Sequence, residues 1–504
     1  MNTKIPTPPG EAYDVRPPNR FARAALSDII SKGNVGYQEA IGSHIYCELR
    51  PTNELQFAED DKTALAYLQI LNDLTHYGLL AAAPFNLVLL EAQGNVLHFF
   101  KEGPLTAAHV TEALRFDFIF TNVVYEKLKP RMGDKWNGFA SCMAHGGAII
   151  VRHGAFSNPS SSSTVSLGPA ANEPAKQLLS GIARTPAGCI DVPSEWASFL
   201  SKPKPLTQWL TIPLKDRDWM SFVQLHLEDA NLRGTFRNLI DRYQSERAGF
   251  TRLNTLSSQQ LHHPEGFSVN APYRLRAFSI KADLDGFSPI VKEAFAKGRD
   301  AIDRVAVGFG EILEFVEYLE RTVSGSIKLP FAGDCGTLLV PPDATGDFNT
   351  LKTTRWLETA IRWQTFAAGD SDSQKRNWSS IFKNVSWAIG AACGETTTCL
   401  LAPIEAENRR FLIGVGWPVA TSLEGQNMGK GGEILVHSDD FQQLPDNVKK
   451  LFTKVTGSEF WKACNLSNDK LRRAIVEGAT SCTPKSLVYG VAGAQLPRSR
   501  PHLT

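Results

Sequence analysis

Phe278-Ser-Ile-Lys-Ala-Asp283-Leu-Asp-Gly-Phe-Ser288 is a β-type run that ends in an aspartate and turns through Gly286-Phe287 into a helical segment. Further on, Lys328-Leu-Pro-Phe-Ala-Gly333-Asp334-Cys335 sets a second aspartate directly after glycine, again among strand-forming residues. The N-terminal half repeats this outline with altered chemistry. Ile45-Tyr46-Cys47-Glu48-Leu49-Arg50 and Leu89-Leu90-Glu91-Ala92-Gln93-Gly94-Asn95 put Glu48 and Asn95 where Asp283 and Asp334 stand later. The spacings nearly agree, 47 residues from Glu48 to Asn95 and 51 from Asp283 to Asp334. Paired carboxylates on adjacent strands suit hard divalent cations, which take oxygen ligands and bridge substrate phosphates. One half keeps the pair and the other has lost it. Taken singly, Asp283 as a helix cap and Asp334 as a turn residue are the simpler readings; together, with their glycines, they favour a metal site.

The two outlines organise the whole chain. Alternating strand and helix signals run from Ser43 to about Val223 and restart after a polar helix expected over Asp229–Thr255. The expected strands of the first half are Ser43–Leu49, Asn86–Leu90, Val96–Phe100, Gly147–His153 and Ser163–Gly168, with helices over Ala22–Lys32, Thr63–Tyr77, Thr106–Lys129 and Asn172–Leu179. The Ser157–Ser163 patch reads as a hairpin turn. In the second half, strands are expected at Tyr273–Ala282, Ser326–Phe331, Thr337–Val340, Asn384–Ala392, Cys399–Ile404 and Phe411–Gly416, and helices at Pro289–Lys297, Val307–Thr322, Asp347–Ala367 and Asp446–Val455. A β-α-β-β-α-β order run twice predicts an α+β protein of two ferredoxin-like units in tandem. The expected division is an arm and helix over 1–35, a first unit over 36–228, a linker helix over 229–268, a second unit over 269–460 and a tail over 461–504.

Composition narrows the partners. The 504 residues are 42% hydrophobic and 21% charged, an ordinary globular balance. A net charge of +1 gives no electrostatic case for nucleic acid or an anionic membrane, although a nucleotide needs only a few placed cations. No apolar stretch approaches the roughly 20 residues of a membrane span, and the Pro-rich start lacks a signal core. The eight cysteines are scattered without a Cys-x-x-Cys pair, as expected of free thiols in a reducing cytoplasm.

A second constellation lies in the first half, at Ser166-Leu-Gly168-Pro169-Ala-Ala-Asn172-Glu-Pro-Ala-Lys176. A Gly-Pro turn leads into a helix that carries Asn172 and Lys176 four residues apart, hence on one face. An amide and an ammonium presented together can hold a ribose oxygen and meet negative charge on a phosphoryl group. The competing role is a helix cap at Asn172 and a solvated Lys176.

These motifs resemble those of class III nucleotidyl cyclases. That family has an Asp followed by x-x-Gly-Phe-Ser/Thr, a Gly-Asp hairpin, and Gly-x-x-x-Asn with Arg four residues on. Asp283-Leu-Asp-Gly-Phe-Ser288 matches the first, Gly333-Asp334 the second, and Gly168 to Lys176 the third, with Lys176 replacing the usual Arg. The resemblance implies one active site built from both halves, which pair with each other. Asp283, Leu284 and Asp334 would hold two Mg²⁺ or Mn²⁺ ions. Asp285, Gly286, Phe287 and Ser288, with Lys215 as a further candidate, would hold the triphosphate, and Asn172 and Lys176 would be catalytic. In the opposite pairing, Glu48 and Asn95 meet Ala420 and Glu424, so that site should be dead.

For the base, the resemblance points to Glu91 and Val165, where adenylate-forming members carry Lys and Asp. Glu91 accepts a hydrogen as guanine N1 or uracil N3 would offer it, and Tyr46 and Phe331 are candidate walls of a small pocket, with core packing as their default role. The absence of an attached sensor is similar to bacterial Pycsar-type cyclases of antiviral defence. The expectation is a cytoplasmic enzyme making cyclic UMP or CMP, with a guanylate cyclase or a catalytically dead nucleotide-binding relative as alternatives.

Overall fold

The computed structural model describes residues 21–30, 34–52, 60–153, 163–179, 184–200, 202, 204–214, 227–247, 249–255, 271–323, 325–343, 352–367, 385–401 and 411–481. Lys215, nearly all of the Ser157–Ser163 patch and the start of the helix expected from Asp347 lie outside the described residues.

The first half comprises β1 (Ala22–Arg23), α1 (Leu26–Ile30), β2 (Gly36–Pro51), α2 (Asp61–Ala82), β3 (Val88–Gln93), β4 (Val96–Glu102), α3 (Ala107–Met132), β5 (Trp136–His153), β6 (Ser163–Leu167), α4 (Pro169–Leu179), β7 (Cys189–Pro193) and β8 (Trp209–Pro213). After α5 (Leu227–Glu246) come β9 (Asn254–Thr255), β10 (Pro272–Asp285), α6 (Phe287–Lys297), α7 (Arg299–Thr322), β11 (Ile327–Ala332), β12 (Cys335–Val340) and α8 (Arg355–Ala367). The second half ends with β13 (Ser386–Leu401), β14 (Phe411–Val415), α9 (Trp417–Met428), β15 (Glu433–His437), α10 (Ser438–Gln442), α11 (Asp446–Lys449), β16 (Thr453–Lys454), β17 (Phe460–Cys464) and α12 (Asn468–Ser481).

Each half builds one sheet, in the order β3-β4-β2-β5-β7-β8 and β11-β12-β10-β13-β15-β17-β16. The first four strands in each order, with the helices between them, have the β-α-β-β-α-β connectivity expected from the sequence. Period-two alternation decides the faces. Ile45, Cys47 and Leu49 of β2 enter a core with α2 and α3, so Tyr46, Glu48 and Arg50 face away from it. Phe278, Ile280, Ala282 and Leu284 of β10 pack on α7 and α8, leaving Lys281 and Asp283 on the opposite face. Two helices, α2 and α3, start where the sequence caps them: Asp60 accepts the Thr63 N–H at 2.8 Å and Thr106 accepts that of His109 at 3.1 Å.

The two cores are interleaved. Ile149, Val151, Val165 and Leu167 of the β5–β6 hairpin are buried with the helices of the second half, while Cys399 and Ile413 of β13–β14 are buried with those of the first. The halves also share backbone detail. Gly168 and Gly416, which precede α4 and α9, have φ of +150° and +143°, and an added Cβ would meet the Gly147 or Glu395 carbonyl oxygen at 2.8 Å in either case. Only glycine fits so close an approach.

Several expectations are corrected. Ala22–Arg23 pairs with β2 as a strand, so the helix expected over Ala22–Lys32 shrinks to Leu26–Ile30 among the described residues. Of the two strands expected at Asn384–Ala392 and Cys399–Ile404, Ser386–Ala392 and Cys399–Leu401 belong to the single strand β13, and the helix expected over Asp446–Val455 stops at Lys449. The second sheet runs past residue 460 through β17, and Leu471 and Ala474 of α12 are buried in its core, so the expected tail is in part structural.

Candidate active site

Asp283 stands near the end of β10, opposite Cys335 at the start of β12, so the Gly333-Asp334 turn lies beside it. Gly333 has φ of +59° and Asp334 does not share that sign, the pattern of a two-residue type II′ hairpin with glycine in its first central position. Gly94 has φ of +58° in the matching turn of the first half. Burial and the neighbouring Asp283 charge push Asp334 up to about 7, and burial raises Asp283 as well. Lys176 acts on both carboxylates in the opposite sense, although it comes from the other half of the chain. Burial pushes the neighbouring Cys335 thiol up to about 12, so without a bound cation it is neutral. What is left is a pair of crowded oxygen donors, a set that fits a hard divalent cation. The Leu284 side chain is in the core, only 2% exposed, so this residue can offer the site nothing but its main chain.

The amide of Asn172 crosses between the halves. Its Nδ2 donates to Ser288 Oγ at 3.2 Å, and its Oδ1 lies 3.5 Å from where a Cβ on Gly333 would be. Asn172 therefore sits between the α6 N-terminus and the Asp334 hairpin. Pro169 opens α4 with the helical φ it favours, and Gly168 brings the turn down onto β5. Lys176, one turn further, is exposed at the residue level.

The turn from β10 into α6 behaves as two parts. Gly286, with φ of +86°, precedes α6, and the backbone N–H groups that begin an 11-residue helix favour anions. Phe287 is fully buried against Phe309, ring centroids 5.4 Å apart, and serves the core rather than a ligand. Asp285 accepts the Gly431 N–H at 3.1 Å, which fixes the neighbouring loop to the turn.

The residues expected at a base pocket differ in their surroundings. Glu91 is buried, accepts Gln93 Nε2 at 3.0 Å and the Ser166 N–H, and is raised well above the usual carboxylate range by burial. Gln93 Nε2 also donates to the Phe331 carbonyl at 2.9 Å, another tie between the halves. Tyr46 stacks on His98 with centroids 4.0 Å apart and feels the Glu91 charge. Val165 and Phe331 are corrections: both side chains are fully buried in the hydrophobic core, where Phe331 meets Phe309 and Trp363. A cavity of about 300 Å³ runs along the α4–α6 seam, lined by Glu173 and Lys292 among others, but not by the carboxylates.

The opposite set of residues is closed. Glu48 Oε2 takes Arg50 Nε at 2.6 Å, and Arg50 also donates to the Thr185 carbonyl and, at 2.9 Å, to that of Leu178. A guanidinium thus neutralises the carboxylate in place of an ion. Asn95 turns its amide onto the Leu49 carbonyl at 3.0 Å, and Glu424 is exposed. Sequence reading missed the roles of Arg50, Gln93 and Lys281. Lys281 lowers Asp283 from two residues away on the same strand face. That spacing, and the Glu48-x-Arg50 spacing, were the available signals.

No family model matches the sequence, and no curated protein matches it. Solved structures do. A class III adenylyl cyclase-like ATP-binding protein from Pseudomonas aeruginosa superposes with a TM-score of 0.68 over 87% of this chain and 91% of its own, at 16% identity. The adenylyl cyclase CyaB from P. aeruginosa (TM-score 0.28, 16% identity) and the guanylyl cyclase Cya2 (0.28, 15%) each align with 39% of this chain and with 98% and 94% of their own. At such identities the likeness is one of fold, and it is carried by the first of the three.

Proposed function

We propose, from the premise that the chain has the class III cyclase fold over most of its length, that it is a nucleotide cyclase with one site shared by its two halves, an asymmetric pseudo-heterodimer in a single chain. The Asn172–Ser288 hydrogen bond carries the reading, because it joins the amide-bearing helix of one half to the carboxylate-bearing turn of the other. In the reaction, the ribose 3′-oxygen bonds to the α-phosphorus while the bond to the bridging oxygen breaks, and pyrophosphate leaves with the electron pair. Asn172 orients the ribose. Lys176 meets charge at the α-phosphate as a point charge rather than a bidentate fork, so it acts less strongly than Arg would. The start of α6, with Gly286 and the Ser288 hydroxyl, receives the triphosphate tail. Divalent ions on Asp283, Asp334 and the Leu284 main chain would neutralise the phosphates and acidify the 3′-hydroxyl.

The state of Glu91 bears on the base. A neutral carboxyl offers one donor and one acceptor, which fits the N3/N4 edge of cytosine or the N3/O4 edge of uracil. Guanine, with N1–H and N2–H₂, asks for two acceptors and so for an ionised carboxylate. Burial raises Glu91 while its Gln93 and Ser166 donors act the other way, so the product assay decides between the two states and the pyrimidine preference rests on the resemblance. Incubation with ATP, CTP, GTP and UTP and mass analysis of the products tests this. Cyclic CMP or UMP is expected; cyclic GMP alone refutes the pyrimidine part. A role in antiviral signalling belongs to the same proposal and rests on the resemblance alone.

A second reading, a nucleotide-binding relative without catalysis, is favoured by the Lys176 substitution and by the ATP-binding description of the P. aeruginosa protein. No product from any nucleotide, with binding retained, would decide for it.

Two further outcomes follow. Asn172→Ala should lower kcat about 10²-fold with little change in KM, since the amide acts mainly on the transition state. The proton on Asp334, held up to about 7, must leave before an ion binds. Apparent Mg²⁺ affinity, measured by calorimetry without nucleotide, should therefore strengthen up to about tenfold per pH unit below neutrality and level off above it.

A further inference from the structure

A cavity of about 660 Å³ opens away from the carboxylate site, between α2, the end of α3 and the segment after α5. Its wall is apolar, with Leu65, Ile70 and Phe250, and its rim is cationic, with Lys62, Arg131, Arg247 and Arg252. A buried carboxylate behind the lining explains why two of those cations stay together. Asp73 is fully buried on α2, and one of its oxygens takes both Arg131 and Arg247, the latter at 3.1 Å. Gln69 donates to the other oxygen at 3.0 Å and accepts the Phe250 N–H at 2.9 Å, which ties the segment to the helix.

Two guanidiniums on one carboxylate leave a net positive charge. Arg247 Nε is buried and has no hydrogen-bond partner among the described residues. The carboxylate at the rim, Asp61, is taken by Arg274 at 2.6 Å. Repulsion between the clustered cations is relieved by an incoming anion, and the volume is that of an ordinary small-molecule site.

We infer that this cavity is a second, non-catalytic ligand site that takes a phosphorylated molecule of about mononucleotide size, its phosphate on Arg247 and Arg252 and its flat part on Phe250. None of the residues proposed for catalysis lines it, so the inference does not depend on the cyclase reading.

The test uses the full chain carrying Asp283→Asn and Asp334→Asn, in EDTA, so that ion-dependent binding at the carboxylates is removed. Isothermal titration calorimetry with AMP, CMP, GMP and UMP should find at least one that saturates near one per chain. Inorganic phosphate and the matching nucleoside should each bind at least about tenfold more weakly. Because Arg247→Ala could unfold the segment over Asp73, the deciding variant is Arg252→Glu, at an exposed position. It should weaken binding at least about tenfold with an unchanged melting temperature. No heat from any monophosphate up to millimolar concentration, or binding untouched by Arg252→Glu, overturns the inference.

Discussion

Asp334→Asn should lower cyclic-nucleotide formation at least about 10³-fold, roughly 4 kcal/mol of transition-state stabilisation, while making the protein without metal more stable. The two effects have one cause. Asp334 is buried beside Asp283, and its folded-state value of about 7 lies well above the ordinary carboxylate range. The folded chain therefore holds this proton more tightly than the unfolded chain does. Its contribution to stability is lost as pH rises from about 4 to about 7, and at neutral pH the pair sits in electrostatic strain. An asparagine keeps the shape and removes the charge. Activity assays with each nucleoside triphosphate, and thermal melts in EDTA at pH 5 and pH 8, measure both sides. The melting temperature of the wild type should fall between those pH values more than that of the variant. Full activity in Asp334→Asn would end the cyclase reading.

Arg50→Met should cost about 3–5 kcal/mol of folding stability, because it strands Glu48 as an unpaired charge. Glu48 and Arg50 are each only 5% exposed, and Arg50 also satisfies the Thr185 and Leu178 carbonyls. A buried pair differs from a buried orphan, however. Replacing both residues, as Glu48→Leu with Arg50→Leu, removes the desolvation cost along with the attraction and should recover most of the loss. Urea denaturation of the two variants gives the comparison. If the double variant is as unstable as Arg50→Met, the ion pair is not what closes this site. Turnover in the double variant should stay close to wild type, since these residues stand in the half that lacks the working carboxylates.

Much of the architecture was legible because its signals are local. Apolar patterning placed α2, α3 and α7, although α2 is buried on every side from Tyr67 to Gly78, and alternation placed the core strands. Expected strands were too short where glycine and polar residues interrupt the pattern without ending the strand. At Gly147 within β5, the interruption has a tertiary cause. A Cβ there would meet the Phe295 ring at 2.9 Å, so the residue is glycine to admit α6 of the other half. The short strands β7, β15 and β17 escaped notice because five-residue runs carry little periodic signal.

The site divides along the same line. Residue types and their spacing along the chain singled out Asp283, Asp334 and Asn172, because metal ligands and a turn before a helix need particular side chains at fixed local intervals. Which half faces which, however, is a long-range matter: Asn172 and Ser288 are 116 positions apart. The sequence by itself determined the duplicated α+β units, the surviving carboxylate pair and the loss of that pair in the first half. Only the tertiary structure decided that Arg50 closes the altered half, that Val165 and Phe331 belong to the core, and that Glu91 is buried. Chain-local patterns record what a residue can do, whereas burial and charge pairing depend on neighbours that folding alone brings into contact.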